Sequence, residues 1–473
     1  MFRLKGRRSA TILVLAAAGA VVLGVTGAAT AFATPAAATQ AKTATVTTNA
    51  TSTTNAISTT NATANSGQTV LQLHQEVASG TLLRTHGTRT ACQQCDAEIV
   101  TTSLNSTTPL RASAPAGYGP ADLDAAYDLP STSASTRTIA IIDAGVDGTL
   151  ASDLATYRKT YGLPACTTAS GCLSLENYTG GAQPAPQSAG LGAALEEEIA
   201  VETSLDLDMA SAACATCHLL EISVPWQDAN DDNDVSTGDF ATAVDTAVAA
   251  HASAVSISYG YTADVTNTTG FDLSALSHKG IAITAATGDN GFNGGIHQSW
   301  PSDLPTVIAA GGVTMPADGR PTAWFSSGSG CETDFRAAVG QPTSVTAACG
   351  GHRAAADISA DADPATGVAV YDTYAPSTGQ PDDWTVVGGT SASTPYVAGL
   401  FARVGHEAAI DGPNTLYAAP STDFTNITMG NNETSVLGCA QYPGISEKLC
   451  NAGPGWNGPT GLGIPHGLGA FWA

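Results

Sequence analysis

The chain has 473 residues, 43% of them hydrophobic, and a formal net charge of -24 from 17 Lys+Arg against 41 Asp+Glu. That is enough chain for one large domain with appendages, and enough apolar content for a sizeable core. The acidic excess argues against nucleic acid as a partner, which it would repel, and it points toward an acidic working environment, where protonation relieves the self-repulsion.

Residues 1–33 read as a secretory signal. The start is basic (Arg3, Lys5, Arg7, Arg8), an apolar stretch runs from Ile12 to Val25, and cleavage is expected after Ala31-Phe32-Ala33. A retained membrane anchor is the alternative. No later stretch is apolar and long enough to span a bilayer, so the mature protein is expected to be soluble, secreted and extracellular. Residues 34–115 form a second region. From Thr34 to about Ser66 it is almost entirely Ala, Thr, Asn and Ser, which bury too little apolar surface to offset ordering entropy. From Val70 to Leu110 it is richer in apolar residues and reads as a short pro-segment or N-terminal arm.

The 10 cysteines fall in close pairs: Cys92 and Cys95, Cys166 and Cys172, Cys214 and Cys217, Cys331 and Cys349, Cys439 and Cys450. Exported chains keep disulfides, so local bridging is expected. Zinc at the two Cys-x-x-Cys units is the alternative, but no further His or Cys spacing completes a tetrahedral set.

Residues 116–473 carry the main domain. A helical pattern over Gly117 to Leu129 opens it. Strand-like runs at Thr138–Ile142, His218–Val224, Ala254–Ser258, Ile281–Thr284 and Thr306–Ala310 then alternate with helical segments at Leu195–Ala213, Asp239–Ala250 and Phe271–Lys279. This alternation predicts an α/β fold, a mostly parallel sheet with helices on both faces in a single large domain. Ligands in such folds sit at the C-terminal ends of the strands.

The stretch that draws attention first is Gly388-Gly389-Thr390-Ser391-Ala392-Ser393-Thr394-Pro395. Small residues lead into a serine at a helix start, where backbone N–H groups lack internal partners and favour an oxyanion. Pro395 is expected in the first helical turn. Glu202 and Asp206 lie four apart, on one helical face together with Glu198. Such a pair is either solvated surface or an acid/base device sharing a proton. Asp208 is nearby but off that face. Asp289, in Thr287-Gly288-Asp289 after an apolar strand, is either an exposed turn or a carboxyl that, when protonated, donates to an oxyanion. Ser258-Tyr259-Gly260 forms a polar strand end that could pair with an extended peptide. Asp357 to Pro364 reads as a structural turn, with a metal-binding loop as the alternative.

These pieces, in this order, resemble the sedolisin family of serine-carboxyl peptidases. Glu202-x-x-x-Asp206 matches its Glu/Asp helix, Ser258-Tyr259-Gly260 its substrate-binding strand, Thr287-Gly288-Asp289 its oxyanion aspartate, and Gly389-Thr390-Ser391 with Pro395 its nucleophile motif. The resemblance implies a subtilisin-like fold, a monomer, protein or peptide substrates and acidic pH. It implies Ser391 as nucleophile, Glu202 as its base, Asp206 as the group orienting Glu202, and Asp289 as oxyanion stabiliser.

Two departures accompany it. The family's calcium site uses two aspartates and backbone carbonyls, and the corresponding positions here are Asn426, Ile427, Gly453, Gly455 and Asn457, with amides in place of both carboxylates. Calcium is therefore expected to bind weakly or not at all. The region upstream of residue 116 is also shorter than the family's long folded pro-domain. Two other readings compete: a subtilisin-type Ser/His/Asp enzyme using Asp143, whose histidine motif is out of place at His86, and a non-catalytic secreted binding protein on the same fold.

Overall fold

The computed structural model describes residues 62–472, apart from 93–94, 227–236, 261–272, 297–298, 434–437 and 443. The expected signal, most of the Ala/Thr/Asn/Ser stretch and the start of the Phe271–Lys279 segment lie outside the described residues.

At the centre is a sheet whose strands run, in spatial order, Thr322–Ala323, Ile308–Thr314, Ala282–Ala286, Ala254–Ile257, Thr138–Ala144, His218–Val224 and Leu173–Asn177. Every neighbouring pair is parallel except the first, which is antiparallel. Ile358–Asp361 adds a further parallel strand against Ile308–Thr314. From Ile139 to Ala144 every residue is buried, odd and even alike. Since successive side chains point to opposite faces, both faces of this strand are covered, as a parallel sheet requires.

Two helices carry the acids and the serine. The carboxyl helix, Gly190–Ala213, begins five residues earlier than its apolar pattern suggests, and from Ile199 onward every residue is buried. The serine helix, Thr390–Val404, is buried along nearly its whole length. The two pack so closely that a Cβ at Gly399 would stand 2.5 Å from the Ala213 Cβ. A small residue on each side permits this approach and fixes the serine helix against the acids.

The region before residue 116 packs into the same core. Thr69 caps the helix Val70–Ala78, which buries Val70, Leu73 and Val77. Strands Thr88–Thr90 and Glu98–Val100 form an antiparallel hairpin, and the second pairs antiparallel with Asp383–Gly388, the strand leading into the serine helix. All five cysteine pairs are disulfide-bonded as expected, both Cys-x-x-Cys units included. Among the described residues no helix is long and apolar enough to cross a membrane.

Candidate active site

Gly389 precedes the serine helix with φ +108, a conformation that side-chain-bearing residues rarely adopt. A Cβ there would collide with the Asp96 carbonyl oxygen and stand 2.7 Å from Asp289 Oδ2. Ser391 is the second residue of the helix. Its N–H donates to the Asp96 carbonyl at 2.9 Å, and its hydroxyl donates to the Ser258 carbonyl at 3.1 Å. Pro395 corrects one expectation. With the helix starting at Thr390 it stands in the second turn, where its missing N–H leaves the Ser391 carbonyl without the usual partner. The turn is held instead by the Thr394 hydroxyl, which donates to the Thr390 carbonyl at 2.8 Å.

Glu202 and Asp206 are fully buried, whereas Glu198 on the same face is exposed, so the solvated-surface alternative does not hold. The Ser258 hydroxyl lies 2.9 and 2.7 Å from the two Asp206 oxygens, to one of which it donates. Burial and the charge of Asp143 push the Asp206 carboxyl well above the usual range, and the bond from Ser258 opposes this. Neither Glu202 oxygen receives a well-formed hydrogen bond. Burial, then Asp206, drive its pKa far up, while the adjacent Ser391 hydroxyl pulls the other way. In this arrangement the serine proton points at Ser258, and rotation about the Ser391 side chain is what would turn it to Glu202. Asp208 is buried away from this group, where one oxygen accepts from the Tyr371 N–H at 3.3 Å.

Asp289 follows the strand Ala282–Ala286. Its Oδ1 accepts from the Thr390 N–H at 2.8 Å and the Thr390 hydroxyl at 2.9 Å, which ties it to the start of the serine helix. Its Oδ2 is buried and has no hydrogen-bond partner. Burial, with the neighbouring Asp96 and Glu98, raises the Asp289 carboxyl well above the usual range. A protonated Asp289 therefore has a free O–H to offer on the side where the Asp96 carbonyl sits.

Of the substrate-strand residues, Ser258 presents its carbonyl to the cleft and Gly260 its bare α-carbon. Tyr259 turns its ring into the core, where its hydroxyl oxygen accepts from the Ala144 N–H at 3.2 Å. Sequence reasoning missed two acids. Asp143, read only as a subtilisin-like aspartate, sits buried beside Glu202 and Asp206, and burial pushes it up to about 7. Asp96 was hidden in the upstream region, and its one signal was an acid directly after a Cys-x-x-Cys unit.

His86 lies elsewhere: its ring nitrogens bond the Thr101 carbonyl at 3.0 Å and Gln68 Oε1 at 2.8 Å. Asp357 is likewise structural, held by Arg353 at 2.6 Å with both side chains fully buried, and it accepts from the Ala309 N–H at 2.9 Å. That favours a structural role for its segment over a metal loop, but the segment runs as the parallel strand Ile358–Asp361 and not as the expected turn.

The calcium positions come together but do not fit the ion. Asn426 Nδ2 donates to the Gly455 carbonyl at 2.7 Å, and the Gly455 N–H donates back to Asn426 Oδ1 at 3.1 Å. Asn457 Nδ2 donates to the carbonyls of Ile427 and Gly453 at 3.2 and 3.3 Å, and its Oδ1 accepts from Thr460. The amide N–H groups thus occupy the carbonyls a hard cation would need, and no carboxylate is present among these residues to attract one.

A family model described as the subtilase family matches residues 189–429, a stretch that contains all four candidate catalytic residues. Kumamolisin of Bacillus sp. (strain MN-32) is 31% identical over 396 residues, covering 76% of this chain and 64% of its own. Sedolisin of Pseudomonas sp. (strain 101) is 30% identical over 188 residues, covering 35% of this chain and 28% of its own. The chain belongs to the sedolisin group of the subtilase family. The solved structure of Pseudomonas sedolisin, a serine-carboxyl proteinase complexed with two molecules of pseudo-iodotyrostatin, has a TM-score of 0.56 at 22% identity and covers 75% of this chain and 96% of that one. The sedolisin fold is thus the fold seen here, subtilisin-like, with the acids and the serine on two packed helices. The kumamolisin match spans less than two thirds of that protein's length.

Proposed function

We propose that this chain is a secreted serine-carboxyl endopeptidase that hydrolyses peptide bonds in protein substrates at acidic pH. The observation that carries the reading is convergence. Ser391 on the serine helix, Glu202 and Asp206 on the carboxyl helix and Asp289 in the turn after Ala282–Ala286 meet in one largely buried site, where Ser391 directs an N–H, and Asp289 an unpartnered carboxyl oxygen, toward one carbonyl.

The chemistry follows from that placement. Ser391 Oγ attacks the carbonyl carbon and Glu202 takes its proton. The developing oxyanion lies between the Ser391 N–H and the O–H of protonated Asp289. Asp206, held by Ser258, keeps a second acid beside Glu202, so the pair shares protons rather than carrying two charges. Glu202 then returns the proton to the leaving amine, and water, with Glu202 again as base, releases the acyl group from the serine.

Two opposed requirements set the pH range. Glu202 must be ionised to act as base, which gives an acid limb, and Asp289 must stay protonated, which gives an alkaline limb. Because burial holds Asp289 above the usual carboxylate range, the donor survives where a free aspartate would already be ionised.

The test is hydrolysis of an unfolded protein from pH 3 to 7 by the purified chain beside Ser391→Ala. Acid-limited activity that vanishes in the variant is the expected outcome. Activity confined to neutral pH would favour a Ser/His/Asp enzyme instead, and none at any pH a binding protein.

A further inference from the structure

The return arm of the upstream hairpin, Cys95 to Ala97, lies against Ser258 and Ser391 in the position of a substrate. Strands Thr88–Thr90 and Glu98–Val100 pair antiparallel, the Ala91 N–H donates to the Ala97 carbonyl at 2.8 Å, and the Cys92–Cys95 disulfide closes the tip between them. Cys95 bridges antiparallel to Tyr259, and the Asp96 N–H donates to the Ser258 carbonyl at 3.2 Å. The carbonyl of the same residue, Asp96, accepts from the Ser391 N–H at 2.9 Å, next to the unpartnered Asp289 Oδ2. Beyond the Asp96–Ala97 bond the chain continues as a strand, Glu98 against Gly388 and Ile99 against Val387. Both flanks are thus held, and the carbonyl between them meets the donors that would receive an oxyanion.

The Asp96 side chain has a pocket of its own. Its carboxyl lies beside Gly260 and Gly288, and a Cβ on Gly260 would come within 2.7 Å of Asp96 Oδ2 and 2.6 Å of Ser299 Oγ. Glycine at 260 is thus what leaves room for the acid. The Asp289 backbone N–H reaches the carboxyl, and Asp96 Oδ2 has no partner. Among the described residues the titratable groups facing it, Asp289 and Glu202 with Glu98 further along, are all acids. Small size and a polar wall suit a short carboxyl side chain, and the acids around it admit that side chain in its neutral form.

We infer that the cleft selects aspartate on the acyl side of the scissile bond, and that the Asp96–Ala97 bond is its first substrate, cut by Ser391 of the same molecule. This rests on the peptidase reading above. Ser391 Oγ bonds to the Asp96 carbonyl carbon as its proton passes to Glu202. The carbon–nitrogen bond to Ala97 breaks with the Glu202 proton going to the Ala97 amine. Water then hydrolyses the Asp96 ester, leaving a carboxylate at Asp96 and a free amine at Ala97. Both cysteines of the disulfide lie before the cut, so the two pieces separate without reduction.

The experiment follows the full chain at pH 4 by intact mass and N-terminal sequencing under denaturing conditions, with Ser391→Ala and Glu202→Gln alongside. The same preparations are given an unfolded protein and peptides differing only in Asp, Asn, Phe or Lys before the scissile bond. A new N-terminus at Ala97 in the wild type alone, at a rate independent of dilution, is expected. The Asp peptide should be cut at least about tenfold faster than the Phe or Lys peptide, the scale of one well-matched pocket contact. Digestion of the unfolded protein with Asp96–Ala97 intact, or without preference for Asp, would overturn this inference while leaving the peptidase reading standing. No cleavage of anything would remove both. The peptide series keeps the specificity arm decisive should either variant fail to fold.

Discussion

Two places in this molecule face the same problem and resolve it in opposite ways. Around Ser391, acids cluster with no cation between them among the described residues: Glu202, Asp206, Asp143 and Asp96 are at least nine-tenths buried, Asp289 is partly buried with one oxygen enclosed, and burial raises every one. In the C-terminal clasp the acids expected from the family are Asn426 and Asn457, whose N–H groups satisfy the backbone carbonyls directly. A buried ionised carboxylate without a partner is costly. Replacing it by an amide removes that cost where only structure is needed, whereas holding it protonated preserves a proton that chemistry can use. The difference is the one the proposed peptidase chemistry requires, proton-holding acids at the first place and a staple at the second.

The largest effect should come from removing the groups that exchange that proton. Ser391→Ala and Glu202→Gln should each lower kcat by roughly 10⁴-fold or more, and the double variant should fall little further, because groups acting as one unit are not additive. Single-turnover assays at pH 4 check this. Nearly additive losses would mean that Glu202 does not serve Ser391.

Next comes Asp289. Asp289→Ala removes an oxyanion donor and should cost about 10²–10³ in kcat with KM little changed. Asp289→Asn keeps an N–H donor that cannot ionise, so its residual activity should extend toward neutral pH. An alkaline limb unchanged in the Asn variant would assign that limb to another group.

A smaller effect is thermodynamic and has a definite sign. Carboxyls whose folded pKa is raised bind more protons in the native than in the unfolded chain, so their contribution is fully present below the unfolded pKa and is lost as pH rises through the folded one. Asp96, Asp143, Asp147 and Asp303 are each pushed up to about 7, all chiefly by burial. The Tm of the Ser391→Ala chain, which cannot digest itself, should therefore be highest near pH 4 and fall steadily toward pH 7. A Tm that rises over this interval would show that these acids are ionised in the folded state.

What the sequence disclosed tracks what local patterning encodes. Five of the parallel strands were legible because each is a short apolar run bounded by turns, and His218–Val224 was placed to the residue; Leu173–Asn177, half-exposed, and Ile358–Asp361, whose alternating acids read as a turn, were not. Ser391 was legible because glycine, a small residue and a helix start occur in a row. Burial of Glu202 and Asp206 was not, since an i, i+4 acidic pair looks the same on a wet face as on a packed one. What decides it is the serine helix, nearly two hundred positions away along the chain, packing against them. Pro395 was misplaced by a turn because the helix start depends on Gly389 adopting a positive φ, a backbone choice that composition does not reveal. Asp96 was the hardest, because its meaning lies entirely in a hairpin reaching across the molecule to Ser258 and Ser391.

The C-terminal clasp gives the smallest and most diagnostic change. If amide donors have taken over the cation's work, treating the wild-type chain with a chelator should leave its Tm unchanged. Asn457→Asp exchanges a buried N–H donor for a second acceptor facing the Ile427 and Gly453 carbonyls, and leaving such groups unpaired should cost about 1–3 kcal/mol. With Asn426→Asp added, two carboxylates would confront three carbonyls, the kind of oxygen set that a hard cation binds. Calcium should then restore the double variant's Tm while doing nothing for the parent. A parent chain stabilised by calcium at micromolar concentration would mean that the ion and the amides share the carbonyls, and the contrast between the clasp and the catalytic acids would have to be redrawn.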